Sequence, residues 1–403
     1  MINKILYISY DGILEPLGYS QVFNYVLKLS KNHAIILLTF EKKNNLKYKN
    51  LNILREQCKK NNIKWIYLKY HKFPKIFSTL YDLFLGFFVS FFIVISNNIK
   101  IIHARSYAPS LIAYFFKKIM GIYFIFDMRG FWADEKIESF IWKKNSLIYK
   151  ITKYFEVKFF LNADKIISLT KIGVDEIKKF KFLKNKNIDI SVISTCTNLK
   201  LFTPNADMDQ FVINNSSILR IGYVGSVRLW YKFDKVISYF KILLKFYPNS
   251  ILHIINKEDH SYIKDCLIKN KINPINFLIE EYHQYEMPAV LKKMNVGIFF
   301  LNPTYSKKAS NPTKLAEFLA CGIPCITNSG IGDTELILNE KNCGIIVNNF
   351  DNENLIKNIP ALINLLNNKQ TAINCRKTAE KYFSLDEGVK KISNFYKELT
   401  NND

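Results

Sequence analysis

The sequence predicts an α/β protein built from two doubly wound domains, and three observations carry that expectation. Short apolar runs of strand length alternate with longer segments of helical spacing, which implies parallel sheets covered by helices on both faces. The alternation comes in two series, separated by a polar, aperiodic stretch at 205–217. The length of 403 residues also exceeds what one hydrophobic core usually serves, so two or three domains are expected. With 49% hydrophobic and 23% charged residues, disorder is excluded as the main state.

The first series places strands at 5–9, 35–39, 64–68, 101–104, 123–127 and 165–169, with helical spacing between them, as at 21–31 and 143–161. The second places strands at 219–225, 251–255, 296–301, 324–327 and 344–347, and long helical sequence closes the chain from about 352 to 400. The expected domains are therefore 1–204 and 218–380, joined by a linker at 205–217. A C-terminal helix at 381–403 is expected to return to the first domain.

Lysine and arginine number 57 against 34 acidic residues, a balance of +23 that points to an anionic partner. Most of it is lysine. It accompanies abundant Asn, Ile, Tyr and Phe, a mixture that AT-rich coding produces without selection for charge. The remainder fits a phosphorylated substrate or an anionic membrane surface. Seven scattered cysteines without C-x-x-C spacing imply a reducing compartment, not a disulfide framework or a thiolate zinc site. The opening apolar run is too short for a signal peptide, so a cytoplasmic location is expected. One apolar run of 14 residues, at 83–96, falls short of the roughly 20 needed to span a bilayer. It is expected to be a buried core helix; the alternative is a helix resting on an anionic bilayer.

Doubly wound sheets bind ligands beyond the carboxyl ends of their strands, so the chemistry is sought in those loops. The most informative run is Ser306-Lys-Lys-Ala-Ser-Asn-Pro-Thr-Lys-Leu-Ala-Glu-Phe-Leu-Ala-Cys-Gly-Ile-Pro324. Asn311 as N-cap and Pro312 at the first helical position predict a helix start whose amides, with Thr313 and Lys314, suit an anion. Lys314 and Glu317 share one face of that helix. An ammonium beside a carboxylate fits phosphates next to a diol, as in a nucleoside diphosphate. A plain capped helix with a surface ion pair is the competing reading. Ile221-Gly-Tyr-Val-Gly-Ser226 ends a strand in glycine, where backbone can approach a phosphate, and Arg228 and Lys232 follow it. A third loop, Asn328-Ser-Gly-Ile-Gly-Asp333, is either part of the site or a tight turn, with Asp333 capping the next helix.

The long run resembles the signature of glycosyltransferase family 4, carried here by Ser310, Pro312, Lys314, Leu315, Glu317, Ala320, Gly322 and Pro324. The resemblance implies the GT-B fold, two Rossmann-like domains facing each other across a cleft. It puts Lys314 on the donor's phosphates and Glu317 on the ribose hydroxyls, with Gly225, Ser226, Arg228, Lys232, Ser310 and Thr313 completing the donor side. The chain departs from the family at Ala309, where many members have an earlier glutamate near the donor sugar. It departs again at Gly225-Ser-Val-Arg-Leu-Trp-Tyr-Lys232, where the usual pattern is G-R-L-x-x-x-K-G.

In the first half, Asp11-Gly-Ile-Leu-Glu-Pro-Leu-Gly-Tyr-Ser-Gln21 lies where the family has its glycine-rich loop. The resemblance puts Gly18, Ser20 and Gln21 over the donor; a simple turn and helix cap is the competing reading. Ile102-His-Ala-Arg-Ser-Tyr107 and Phe126-Asp-Met-Arg-Gly-Phe-Trp-Ala-Asp-Glu135 end adjacent strands. That much charge at neighbouring strand ends points to a site. Both runs resemble a subgroup of family 4, although many relatives have histidine where Asp127 aligns. Asp127, Arg129 and Arg105 are the candidate catalytic residues, and Asp134 and Glu135 the acceptor side. Asp207-Met-Asp209 sits in the linker and His33, His71, His253, His260 and His283 lack metal-ligand spacing, so no metal is expected.

The activity implied by the resemblance is retaining, metal-independent hexosyl transfer from a nucleoside diphosphate sugar. The acceptor would be a glycan or lipid-linked glycan of cell-surface polysaccharide synthesis, with no cofactor beyond the donor. Retention, with the leaving phosphate taking the acceptor proton, is likewise an implication of the resemblance. A nucleotide-sugar 2-epimerase on the same fold is the alternative. A basic protein that binds membrane or nucleic acid by charge alone is a more distant one, since no recognition helix or aromatic-basic RNA motif is present.

Overall fold

The structure is a computed structural model that describes residues 4–47, 50–204 and 217–401. The chain divides into two compact units, Met1–Ser194 with Leu385–Asp403, and Thr195–Ser384. The first unit thus ends at Ser194, not at 204, and the returning segment begins at Leu385, not at 381. Apart from Ser217, the expected linker lies outside the described residues, as do Asp207 and Asp209.

The first unit holds β1 (Lys4–Ser9), β2 (Ala34–Lys42), β3 (Lys64–Tyr70), β4 (Ile101–Arg105), β5 (Tyr123–Asp127), β6 (Lys165–Ser168) and β7 (Ile190–Val192). They pair in the order β3-β2-β1-β4-β5-β6-β7, all parallel. Strands such as Ile5–Ile8 are buried without alternation because helices cover both faces. The short β7 was not expected from the sequence. The Leu385–Asn401 helix closes this unit, with His33 Nε2 at 2.7 Å from Ser393 Oγ and an ion pair between Lys28 and Asp386.

The second unit holds β8 (Arg220–Val224), β9 (Ile251–Ile255), β10 (Phe277–Glu280), β11 (Val296–Ile298), β12 (Cys325–Thr327) and β13 (Gly344–Ile346). Their order is β10-β9-β8-β11-β12-β13, again all parallel. In both units the chain order reverses beside the first strand, at β1/β4 and at β8/β11. A crevice beyond the strand ends at such a reversal is where open α/β sheets bind ligands.

The 83–96 run corrects the core-helix expectation. It lies within a longer helix, Lys75–Asn97, that buries Ser90, Ile93 and Val94 but leaves Phe84, Phe88 and Phe92 exposed. The run is helical, as expected, but which of its faces find a neighbour is not readable from the sequence.

Candidate functional site

In the second unit the site grows from glycine. Gly222 on β8 and Gly297 on β11 let the Thr313–Ala320 helix sit close on the sheet. A Cβ on Gly297 would lie 2.5 Å from the Phe318 ring, and one on Gly222 would lie 2.1 Å from Met294 Sδ. Arg376 holds the far end of that helix, donating from Nη1 to the Ala320 carbonyl at 3.0 Å and to the Phe202 carbonyl at 2.7 Å. A cation there complements the helix dipole. Because the helix lies this close, its Lys314 and Glu317 are buried, at 7% and 6% exposure, which overturns the surface ion pair.

Lys314 Nζ lies 4.3 Å from the Tyr231 ring centroid and 5.0 Å from that of Tyr223, without a hydrogen-bond partner. Gly225, at φ 106°, faces it, and a Cβ there would come within 3.3 Å of Nζ. Burial pulls the Lys314 ammonium down to about 7 against the opposing pull of Glu317. Burial pushes the Glu317 carboxyl up to about 7, resisted by a 2.9 Å hydrogen bond from Gln284 and by Lys314. A buried cation aimed at open backbone with no partner is set up for an anion.

Several sequence expectations change here. Asn311 does not cap: the helix starts at Thr313 after Pro312, with no side-chain cap, and Asn311 Oδ1 is buried without a partner. Asp333 occupies a cap position without a side-chain capping bond. Arg228 is exposed, donates to Asp259 at 2.6 Å and stacks on Tyr262, while the Lys232 ammonium lies over Phe350. That loop therefore delivers Tyr231 to Lys314, and neither expected cation. Ser226 is exposed, Ser310 bonds the Ser306 carbonyl at 3.4 Å, and Thr313 opens the helix. Asn328 ties the ends of β11 and β12 through the Leu301 backbone, at 2.9 and 3.0 Å, so this loop is more than a turn. Ala309 is fully buried, and the nearby Lys307, also buried, lies 4.1 Å from the Trp230 ring centroid.

In the first unit the cluster is assembled by strand register: Ser9, Arg105 and Asp127 lie side by side on β1, β4 and β5. Asp127 is buried, 3.6 Å from a nitrogen of Arg105, 3.6 Å from one of Arg129 and 3.7 Å from His103 Nε2. These spacings are ionic but too long for direct hydrogen bonds. Burial opposes the charge, yet Arg129, His103 and Arg105 outweigh it and hold the Asp127 carboxyl at about 2. His103 stacks on Tyr7, its Nδ1 2.8 Å from Tyr396 Oη, and burial lowers its pKa. Ser106 (φ 69°, ψ −177°) and Arg129 (φ 59°) follow these strands in conformations that side chains rarely adopt. Such strain collects at functional sites.

The loop after β1 is held to the same region. Gly18 has no room for a side chain, since a Cβ would lie 1.9 Å from the Gly12 carbonyl oxygen. Gln21 is buried in a π-helical turn, Tyr19–Phe23, and accepts from Arg129 at 3.3 Å. Ser20 turns away to the Leu17 carbonyl, at 3.3 Å. The sequence reading missed Glu41, a buried carboxylate that accepts from the amides of Ile13, at 2.7 Å, and Leu14, at 3.3 Å. Its signal was a lone acid within an apolar strand. Asp134 is not free for an acceptor: it accepts from Tyr149 at 2.9 Å and pairs with Lys153 at 3.0 Å, while Glu135 is half-buried beside it. Among the described residues no group of histidine, cysteine and carboxylate side chains could hold a metal ion.

This geometry defines the class as a GT-B fold, and comparison with known proteins agrees. Residues 208–382 match the family described as glycosyl transferases group 1. Sucrose-phosphate synthase from Thermosynechococcus elongatus is similar over 100% of both chains, with 16% identity and a TM-score of 0.73. A glycosyltransferase from Rickettsia africae is similar over 100% of both chains, at 16% identity and a TM-score of 0.69. Anabaena HepE, in complex with UDP-glucose, is similar over 98% of this chain and 99% of its own, at 11% identity and a TM-score of 0.69. No curated protein matches the sequence.

Proposed function

We propose that the protein is a retaining, metal-independent glycosyltransferase of family 4 type that takes a nucleoside diphosphate sugar and glycosylates a glycan or lipid-linked acceptor in cell-surface polysaccharide synthesis. The observation that carries the reading is the buried, unpartnered Lys314 ammonium facing Gly225, with Glu317 one turn along the same helix. Charge builds on the departing diphosphate during transfer, and fixed cations in a dry setting stabilise it without reorganising. Lys314 would hold that charge, and Glu317, steadied by Gln284, would accept the ribose hydroxyls. Arg105 and Arg129, which flank Asp127 at 3.6 Å, would supply cations for the reacting end. The UDP-glucose held by HepE, which shares the fold, supports the donor class.

Thermal unfolding against a panel of nucleoside diphosphates and their sugar conjugates tests the donor. A binder raises the midpoint by mass action, and no shift with any member would defeat the proposal. Glu317→Ala should weaken donor binding roughly tenfold to a hundredfold in calorimetry, the loss of hydrogen bonds to a charged group. Unchanged affinity contradicts the assignment. Donor turnover that needs an acceptor excludes epimerisation, whereas turnover without one favours it.

A further inference from the structure

Three neighbouring helices of the first unit, Lys75–Asn97, Tyr107–Met120 and Leu147–Asn162, present an apolar surface that the donor chemistry does not use. From Ile76 to Ile95 the exposed side chains recur every three or four residues, a stripe roughly 28 Å long at 1.5 Å per residue. Phe77, Phe84 and Phe92 are 73%, 63% and 66% exposed. Aromatic contacts carry the surface across the helices: Phe87 to Phe115 at 6.4 Å, and Phe115 to Phe155 at 6.4 Å. Between the first two helices runs a groove of about 370 Å³, lined by Leu83, Phe84, Phe87, Phe88, Leu111, Ile112 and Phe115. So much contiguous exposed apolar surface marks an interaction site.

Charge chooses the partner. The only carboxylates on these helices are Asp82 and Glu156, and both are buried. Asp82 is bound by Tyr10 at 2.9 Å and by the His71 ring at 2.5 Å, and Glu156 by Tyr107 at 2.5 Å. The exposed charges are lysines such as Lys118 and Lys150, each next to an exposed isoleucine, Ile119 and Ile151. Apolar side chains flanked by lysines, with every acid withdrawn, match lipid chains below a layer of anionic headgroups. The first helix is long and apolar enough to cross a membrane by length and composition. Its inner face is committed elsewhere: Ser90 is buried, and a Cβ on Gly86 would lie 2.9 Å from the Phe40 ring. A helix with one face packed on its own domain is placed to rest on a bilayer, not to cross one.

We propose that this three-helix face docks on the surface of an anionic phospholipid bilayer, its phenylalanines entering the headgroup boundary and its lysines meeting the phosphates. The inference is independent of the donor assignment. In flotation with vesicles of phosphatidylcholine containing phosphatidylglycerol, the full chain should rise with the lipid, and little should rise with phosphatidylcholine alone. Phe77→Ser/Phe84→Ser/Phe92→Ser, changed at exposed sites, should abolish flotation while keeping the wild-type unfolding midpoint. Lys118→Glu/Lys150→Glu should cut partitioning by more than about tenfold. No flotation of the wild type, equal flotation on neutral vesicles, or an undiminished triple variant overturns the proposal. So does a wild-type dimer in light scattering that the triple variant dissociates while vesicles bind neither form; that result would assign the face to a second copy.

Discussion

The two units solve the problem of buried charge in opposite ways. In the first, Asp127 is ringed by Arg105, Arg129 and His103 and stays ionised, its carboxyl held at about 2. In the second, Lys314 and Glu317 share a helix, yet burial drives both toward neutrality, each to about 7. The first cluster sets its carboxylate among cations of the protein itself; the second leaves the Lys314 ammonium without a hydrogen-bond partner. A site that must grip and release a charged ligand gains from being unfinished without it.

Breaking the first cluster should have the largest effect. Asp127→Ala removes the carboxylate shared by the buried Arg105 and the half-buried Arg129, leaving Arg105 only Asp11 at 3.7 Å, and chemical denaturation should show about 3 kcal/mol lost, together with loss of transfer. A loss under 1 kcal/mol would mean the arginines reach solvent. Lys314→Met should move stability the other way. Replacing an unpartnered buried charge by an apolar side chain of similar length should stabilise by about 1 to 2 kcal/mol while diphosphate binding disappears. A destabilised Met variant would show that Lys314 already has a partner.

Gly18→Ala tests the loop of the first unit. Its Cβ would meet the Gly12 carbonyl, so about 1 to 3 kcal/mol should be lost, with weaker donor turnover. Ser106→Gly should relieve backbone strain and stabilise by about 1 kcal/mol, readable as a higher melting midpoint.

The pH dependence sharpens the contrast most finely. The raised Glu317 pKa contributes stability below its unfolded value, about 4.5, that is lost as pH rises through about 7. The lowered Lys314 pKa contributes stability above about 10.5 that is lost as pH falls through about 7. Unliganded protein should therefore fall furthest below a Lys314→Met/Glu317→Gln variant near pH 7. The gap should narrow on both sides and shrink when diphosphate is added. A gap that does not vary with pH would show that the pair stays charged.

Legibility followed locality. The second unit's pair was legible because positions 314 and 317 on one helix must share a face. The first unit's Arg105 and Asp127 were legible because both end strands. His103 and Glu41 were missed, since only strand register and loop packing bring them to the cluster. Arg228 and Lys232 were misplaced because a loop's spacing does not say which way its side chains turn.

By itself the sequence determined the two series of strands and helices, the parallel sheets, and that Lys314 and Glu317 share a helix face, because periodicity and helix-face geometry are local. Tertiary structure decided that Lys314 and Glu317 are buried, that Tyr231 is what the loop delivers, and that the 75–97 helix keeps one greasy face outward. Burial and direction depend on what lies opposite, and the partners that set them stand tens to hundreds of residues away along the chain.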